Sequence, residues 1–155
     1  MPALTMPLSN DDSRRGLDLG LDLFLDLFNR ARFFDAHEVL EDLWRPLPRD
    51  RPARRHLRLH VQGMIQLAVA FHHQSTSNYT GALSVLKRAV RNLKGAERSF
   101  PDLDFGRLRS ELADWEKHLA SAGPRPQPPH VFKLAATPSI KSEIKTSTTK
   151  DTKAH

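Results

Sequence analysis

The apolar positions between residues 17 and 122 recur mostly with helical spacing, and helix breakers divide them into five segments. Apolar residues that return every three or four positions are typical of amphipathic helices. The predicted helices are residues 17–28, 33–45, 53–74, 79–94 and 104–122. Prolines, a polar turn and a glycine lie between some of them. The pattern therefore predicts an all-α fold, a compact bundle of about five helices.

Residues 17–28 are the ambiguous segment, because leucine alternates there with other residues as in a half-buried strand. A helix fits as well. Asp18, Asp22 and Asp26 fall at four-residue spacing and would form one acidic stripe. Leucine dominates and β-branched residues are absent, which favours a helix over a strand.

The second predicted helix carries three groups that could bind a proton or a metal, namely His37, Glu38 and Glu41. Residues four apart share a helix face, so His37 and Glu41 are expected to lie together beside the apolar face. Glu38 is expected about 60° from Glu41, at roughly 100° per residue. The helix thus presents a polar group at the edge of a core.

The third predicted helix is apolar almost all round and has a narrow polar stripe of Gln62, Gln66 and His73. Buried amides and imidazoles need hydrogen-bond partners. We therefore predict that the stripe faces the polar groups of the second helix and that the two helices enclose a polar pocket. The predicted pocket residues are Phe34, His37, Glu38, Glu41, Trp44, Gln62, Gln66 and His73.

Three interpretations of this pocket remain open: a structural hydrogen-bond network, a site for a small ligand or a protein, and a metal site. The metal site would hold one divalent ion, Zn, Mn or Fe, through His37, Glu41 and His73. It would support a mononuclear metal-dependent enzyme, a hydrolase, with Glu38 or Glu41 as general base. The third helix contains no acidic residue, which disfavours a di-metal centre. Outside this enzyme alternative no residue is assigned a catalytic role, and our main hypothesis is a binding or interaction module.

A weak internal repeat provides a control on this interpretation, because residues 31–41 align with residues 77–87. An aromatic residue, an alanine, a valine and a leucine recur in register. Leu83 and Lys87 stand where the first copy has His37 and Glu41. The helical scaffold therefore does not require these polar groups.

Charge and composition divide the chain into a flexible N-terminus (residues 1–12), a helical bundle (13–123) and a disordered tail (124–155). The tail is rich in Pro, Ser, Thr and Lys, with little to bury. It has six basic and two acidic residues, which gives +4 of the total charge of +6 and leaves the bundle at +2. The near-neutral bundle disfavours nucleic acid as its partner.

Other features bear on location and partners. The chain has no cysteine, which fits the cytoplasm. It has neither a signal-like start nor an apolar run of about 20 residues, so no membrane association is expected. The wide apolar arc of residues 17–28 could meet a second subunit in a homodimer. His56 and His60 stand among five arginines, which indicates either a solvated helix start or a phosphate-binding patch.

Two ordered motifs resemble a family of small all-helical proteins of prokaryotes and plants. The family is catalogued as domain of unknown function three hundred and nine. The resemblance covers roughly residues 21–93 and implies a compact helical bundle, without an established activity. Residues 46–52 and the tail depart from it. The motifs are Phe34-x-Ala36-His37-Glu38-x-x-Glu41-x-x-Trp44 and Gln62-Gly63-x-Ile65-Gln66-x-Ala68-x-Ala70, followed by His73 and Asn78-x-x-Gly81-Ala82.

Overall fold

The structure is a computed structural model that describes residues 10–49 and 52–134. Residues 1–9 of the predicted N-terminal segment and residues 135–155 of the predicted tail lie outside this range. The all-α bundle is confirmed, and β structure among the described residues is limited to an isolated bridge between Leu103 and Lys133. The helices are α1 (Asn10–Asn29), α2 (Phe33–Trp44), α3 (Pro52–Ser75), α4 (Tyr79–Asn92) and α5 (Phe105–Lys117).

The central helix is α3, which packs against α2 on one side and against α4 on the other. The helix α1 packs on α2, and α5 lies against α4. This position explains why α3 is apolar almost all round. The Phe71 ring of α3 meets Phe28 of α1 at 6.1 Å, Phe33 of α2 at 5.8 Å and Trp115 of α5 at 4.9 Å between centroids. Four helices thus share one aromatic core.

The ambiguous segment is helical, so the strand interpretation of residues 17–28 is wrong. Its buried residues follow helical spacing: Leu17, Leu21, Phe24 and Phe28 are all at most 8% exposed. The alternation is a consequence of leucines on both faces, because Leu19 and Leu23 are exposed by 71% and 49%. The three aspartates form the predicted acidic stripe, where they pair with Arg14, Lys133 and Arg30.

The helices α3 and α4 approach closely, and glycine makes this contact feasible. A Cβ atom on Gly63 would lie 2.9 Å from the Leu93 side chain and 3.2 Å from the Asn92 backbone. At the start of α4, the Asn78 side chain accepts a hydrogen bond of 3.0 Å from the Gly81 N–H, which caps the helix. After α4 the chain turns at Gly95, whose φ of 75° is in the left-handed region that favours glycine.

The first part of the predicted tail, residues 124–134, lies against the bundle; we call it the strap. Val131 is only 2% exposed, and it exchanges two hydrogen bonds of 2.9 and 2.8 Å with the Asn29 side chain. The Asp104 N–H donates to the Phe132 carbonyl at 2.8 Å. The described bundle therefore extends to Leu134, eleven residues beyond the predicted boundary. Its composition gave no sign of this, because the segment is held by only two buried residues, Pro129 and Val131, and by a few hydrogen bonds.

Candidate functional site

The helices α2 and α3 run antiparallel and are held together at both ends. At one end, the Trp44 indole N–H donates to the Arg58 carbonyl at 3.1 Å. The Arg58 guanidinium donates to the carbonyls of Trp44 (2.8 Å) and Leu47 (2.9 Å), and it stacks 3.9 Å above the indole. At the other end, the Phe34 ring lies 5.4 Å from the His72 ring. This framework fixes which residues of the two helices meet.

Between the two ends lies an open cavity of about 280 Å³, which we call the α2–α3 pocket. Three of its residues, Trp44, Ile65 and Val69, are hydrophobic, and the other four are polar. Five of the eight predicted pocket residues line it. The lining residues are His37, Glu41, Trp44, Gln62, Ile65, Gln66 and Val69.

His37 and Glu41 form a pair at the rim of the pocket. The His37 Nδ1 lies 2.5 Å from the Phe34 carbonyl oxygen, which can only accept, so Nδ1 carries a proton. The His37 Nε2 lies 3.3 Å from the Glu41 carboxylate. A neutral ring would place two acceptors face to face there. A proton on the pair, or a donor group of a ligand, satisfies both atoms.

The two glutamines differ in what they bind. The Gln66 carbonyl oxygen accepts a hydrogen bond of 2.8 Å from Asn92 of α4, which fixes its amide orientation and leaves its NH₂ group available. Among the described residues, Gln62 has no hydrogen-bond partner, although its side chain lines the pocket. The Gln62 amide therefore offers both a donor and an acceptor beside a hydrophobic wall.

Three predicted residues are not brought into the pocket. Glu38 is exposed, because the neighbouring position on the helix, His37, is the one that turns toward α3. Phe34 packs against the rings of His37 and His72 at the end of the pocket. His73 lies beyond this end, where its Nδ1 is 3.3 Å from the Asn78 amide.

The predicted metal ligands are consequently not assembled. His37 and Glu41 are adjacent, whereas His73 is near the start of α4. Among the residues that the structure describes, no group of three or more His, Cys, Asp or Glu side chains could hold a metal ion.

Some pocket features were missed in the sequence. Ile65 and Val69 contribute to its hydrophobic wall, although neither was among the predicted pocket residues. His72, rather than His73, approaches α2. The spacing of three and four residues among Gln62, Ile65, Gln66 and Val69 could have indicated one face of mixed polarity, but not its register against α2.

Residues 21–85 match the model of the domain of unknown function DUF309. This confirms the resemblance inferred from the motifs. The match includes the whole α2–α3 pocket and ends within α4, so α5 and the strap lie outside the DUF309 region.

Two curated relatives are similar to this chain. One is the uncharacterized protein YpuF of Bacillus subtilis (strain 168), 37% identical over 78 residues, which cover 49% of this chain and 42% of that protein. The other is an uncharacterized protein of Aquifex aeolicus (strain VF5), 24% identical over 87 residues, which cover 56% of this chain and 25% of that protein. This chain thus spans less than half of either relative's length. No solved structure gives a significant match.

Two residues of the histidine and arginine cluster at the start of α3, Arg58 and His60, hold the bundle together. His60 is 4% exposed, so its assignment to a solvated helix start is wrong. Its Nε2–H donates to the Lys94 carbonyl at 3.1 Å, and its Nδ1 accepts from the Ser99 hydroxyl at 2.5 Å. Arg58 is held by Trp44 and Leu47, as described above. His56 is exposed and Arg51 lies outside the described residues.

None of the helices in the described ranges is both long enough and apolar enough to cross a bilayer.

Proposed function

We propose that this domain is a binding module whose α2–α3 pocket holds a short peptide segment of a partner protein. One apolar side chain of the peptide lies against Ile65, Val69 and Trp44, and a peptide group pairs with the Gln62 amide. The observation that supports this proposal is the Gln62 side chain, which has no partner among the described residues and lies beside a hydrophobic wall.

The size of the pocket favours a side chain over a large organic ligand. Its volume of about 280 Å³ is just below the range of roughly 300–1,000 Å³ that is usual for drug-sized ligands. A pocket of this kind, with a few placed polar groups, suits a single anchoring residue of a protein interface.

The polar groups of the pocket match a peptide backbone. A glutamine amide can donate to a peptide carbonyl and accept from a peptide N–H. The Gln66 NH₂ group is a second donor, and the His37–Glu41 pair is a second acceptor for a nearby N–H. A bound peptide would thereby satisfy groups that now depend on solvent.

A titration with N-acetyl-leucine methylamide, followed by two-dimensional NMR, tests this function. We expect saturable shifts of the Gln62 and Gln66 side-chain amides and of the Trp44 indole N–H. The Gln62→Met variant keeps the side-chain length but loses both hydrogen-bonding groups. It should weaken binding about fivefold or more, since a net hydrogen bond contributes about 0.5–1.5 kcal/mol and two are lost.

The matched control is Gln74→Met, which makes the same change on α3 outside the pocket lining. It should bind the probe like the unmodified protein. The proposal is rejected if the pocket signals do not shift, or if both methionine variants weaken binding equally.

The alternative is a mononuclear metal-dependent hydrolase that uses the same pocket. Its support is weaker, since the described residues bring only His37 and Glu41 together, and a catalytic zinc site has three protein ligands. Thermal shift measurements on untagged protein with Zn²⁺, Mn²⁺ and Fe²⁺ decide between the two. A stoichiometric metal, with a shift that His37→Leu abolishes, would establish the alternative. We also propose a cytoplasmic location, which the lack of cysteine supports.

A further inference from the structure

A second cavity, of about 420 Å³, lies between α5 and the strap, outside the DUF309 region. We propose that it binds a monoanionic organic acid. The carboxylate would lie between Arg107 and Arg125, and a flat apolar group would lie against Phe132 and the prolines of the strap. This site is independent of the α2–α3 pocket and of the function proposed for it.

The shape of the cavity follows from how the strap is attached. Residues 124–129 contain four prolines, which hold the backbone extended and prevent it from coiling onto α5. Near its start, the Arg125 guanidinium pairs with Glu111 of α5 at 2.9 Å. At its other end, Val131 is held by Asn29 of α1. The stiff segment is therefore fixed at two points and does not pack along α5 between them, which leaves the cavity.

The charge of the lining favours an anion. Two arginines, Arg107 and Arg125, line the cavity with one carboxylate, Glu111, so these three groups together carry a net charge of +1. Arg125 is already paired with Glu111 and lies 3.9 Å from Asp114. Arg107 has no ion-pair partner among the described residues, and its guanidinium lies over the Phe132 ring. One uncompensated guanidinium suits one carboxylate.

The Arg107 guanidinium is also oriented for this role. Its central carbon lies 4.3 Å from the Phe132 ring centroid, so the guanidinium is stacked on the ring. Stacking covers the face of the group and leaves its N–H edge available for a planar, bidentate contact. An arginine that is fixed in this way loses little conformational entropy when it binds a carboxylate.

Hydrophobic surface beside these charges favours an organic acid over a bare ion. Phe132 is 39% exposed, and the His130 ring meets it edge-on at 5.8 Å. Pro126 and Pro128 line the same cavity. A flat apolar group could pack against these rings while its carboxylate meets the arginines.

Isothermal titration with benzoate on the full chain tests the proposal. Two control probes separate the contributions of charge and ring. Acetate has the carboxylate without the ring, and benzyl alcohol has the ring without the charge. We expect saturable benzoate binding and at least tenfold weaker binding of the other two probes. Arg107→Gln should weaken benzoate binding about tenfold or more, as expected for a lost hydrogen bond to a charged group.

The matched control is Arg88→Gln, which removes an exposed arginine of α4 that does not line the cavity. It should leave benzoate binding unchanged. The Arg107 side chain is exposed, and an unchanged unfolding midpoint will show that its variant is folded. The proposal is overturned if benzoate does not saturate, if acetate binds as tightly as benzoate, or if the two glutamine variants bind benzoate equally.

Discussion

The two sides of α3 pack against related helices in different ways. On the side of α4, the helices touch through glycine and the polar groups are paired within the bundle. On the side of α2, the helices leave an open pocket, and one polar group, Gln62, has no partner among the described residues. We call the α4 side of α3 the closed side and its α2 side the open side. The polar groups of the closed side are satisfied within the bundle, whereas the open side has groups that could bind a ligand.

The internal repeat allows α2 and α4 to be compared position by position. Ala36 and Leu40 of α2 correspond to Ala82 and Leu86 of α4, and all four are 0% exposed. The shared positions thus pack alike. The positions that differ are His37 against Leu83 and Glu41 against Lys87. The two helices therefore share their buried positions, but of the two only α2 carries the His–Glu pair.

The largest expected effect concerns His60, the buried polar group of the closed side. His60→Leu removes hydrogen bonds to Ser99 and to the Lys94 carbonyl and leaves both partners unpaired. We expect the free energy of unfolding at about pH 8 to fall by about 2 kcal/mol or more. Urea denaturation measures it. His56→Leu, one turn earlier and exposed, should change it by less than about 0.5 kcal/mol.

The pH dependence gives a second readout of the same residue. Burial lowers the pKa of His60, so the folded protein binds a proton there more weakly than the unfolded chain, whose value is about 6.5. As the pH falls below about 6.5, the unfolded chain takes up this proton first, and stability decreases. His60→Leu should lose less stability than the unmodified protein between about pH 8 and pH 5.5. Equal losses would contradict the assignment.

The next effect tests the close approach of α3 and α4. Gly63→Ala places a Cβ atom against Leu93 and the Asn92 backbone. Overpacking of this kind costs about 1–3 kcal/mol, and alanine's better helix propensity returns about 1 kcal/mol, so a net loss of about 1 kcal/mol is expected. Urea denaturation midpoints measure the change.

Gly16→Ala is the control for this variant, because a Cβ atom there meets nothing within 4 Å. It should stabilise α1 by about 0.5–1 kcal/mol through helix propensity alone. If both variants are equally stabilising, α4 can move away from α3, and the distinction between a closed and an open side fails.

Local spacing was enough to predict most of the helices and the pairs within them. His37 with Glu41 and Gln62 with Gln66 follow from helical periodicity. The register between helices does not, and this is why His73 was expected in a pocket that it does not reach. The partners of His60, Lys94 and Ser99, are 34 and 39 residues away along the chain. No local pattern reveals such contacts, and the strap was missed for the same reason.

The smallest expected effect is at the pocket itself. His37→Leu combined with Glu41→Lys gives α2 the identities that α4 has at these positions. The His37–Glu41 pair is partly exposed, with side-chain exposures of 17% and 36%. Glu41 also pairs with the exposed Arg45 one turn later, and the new lysine would lose this pair. We expect a change within about 0.5 kcal/mol, because exposed ion pairs contribute about 0–1 kcal/mol.

Stability measurements at this pair distinguish a role of His37 and Glu41 in ligand binding from a role in packing the bundle. A buried network that the bundle needs for its packing would lose about 3–5 kcal/mol when one partner of its ion pair is removed. The single variant His37→Leu removes one partner and leaves the other, so its free energy of unfolding decides between the structural interpretation and the binding one. A loss of about 3 kcal/mol would assign His37 and Glu41 to the fold. An unchanged value, together with weaker binding of N-acetyl-leucine methylamide, would mean that the open side of α3 is kept for a ligand.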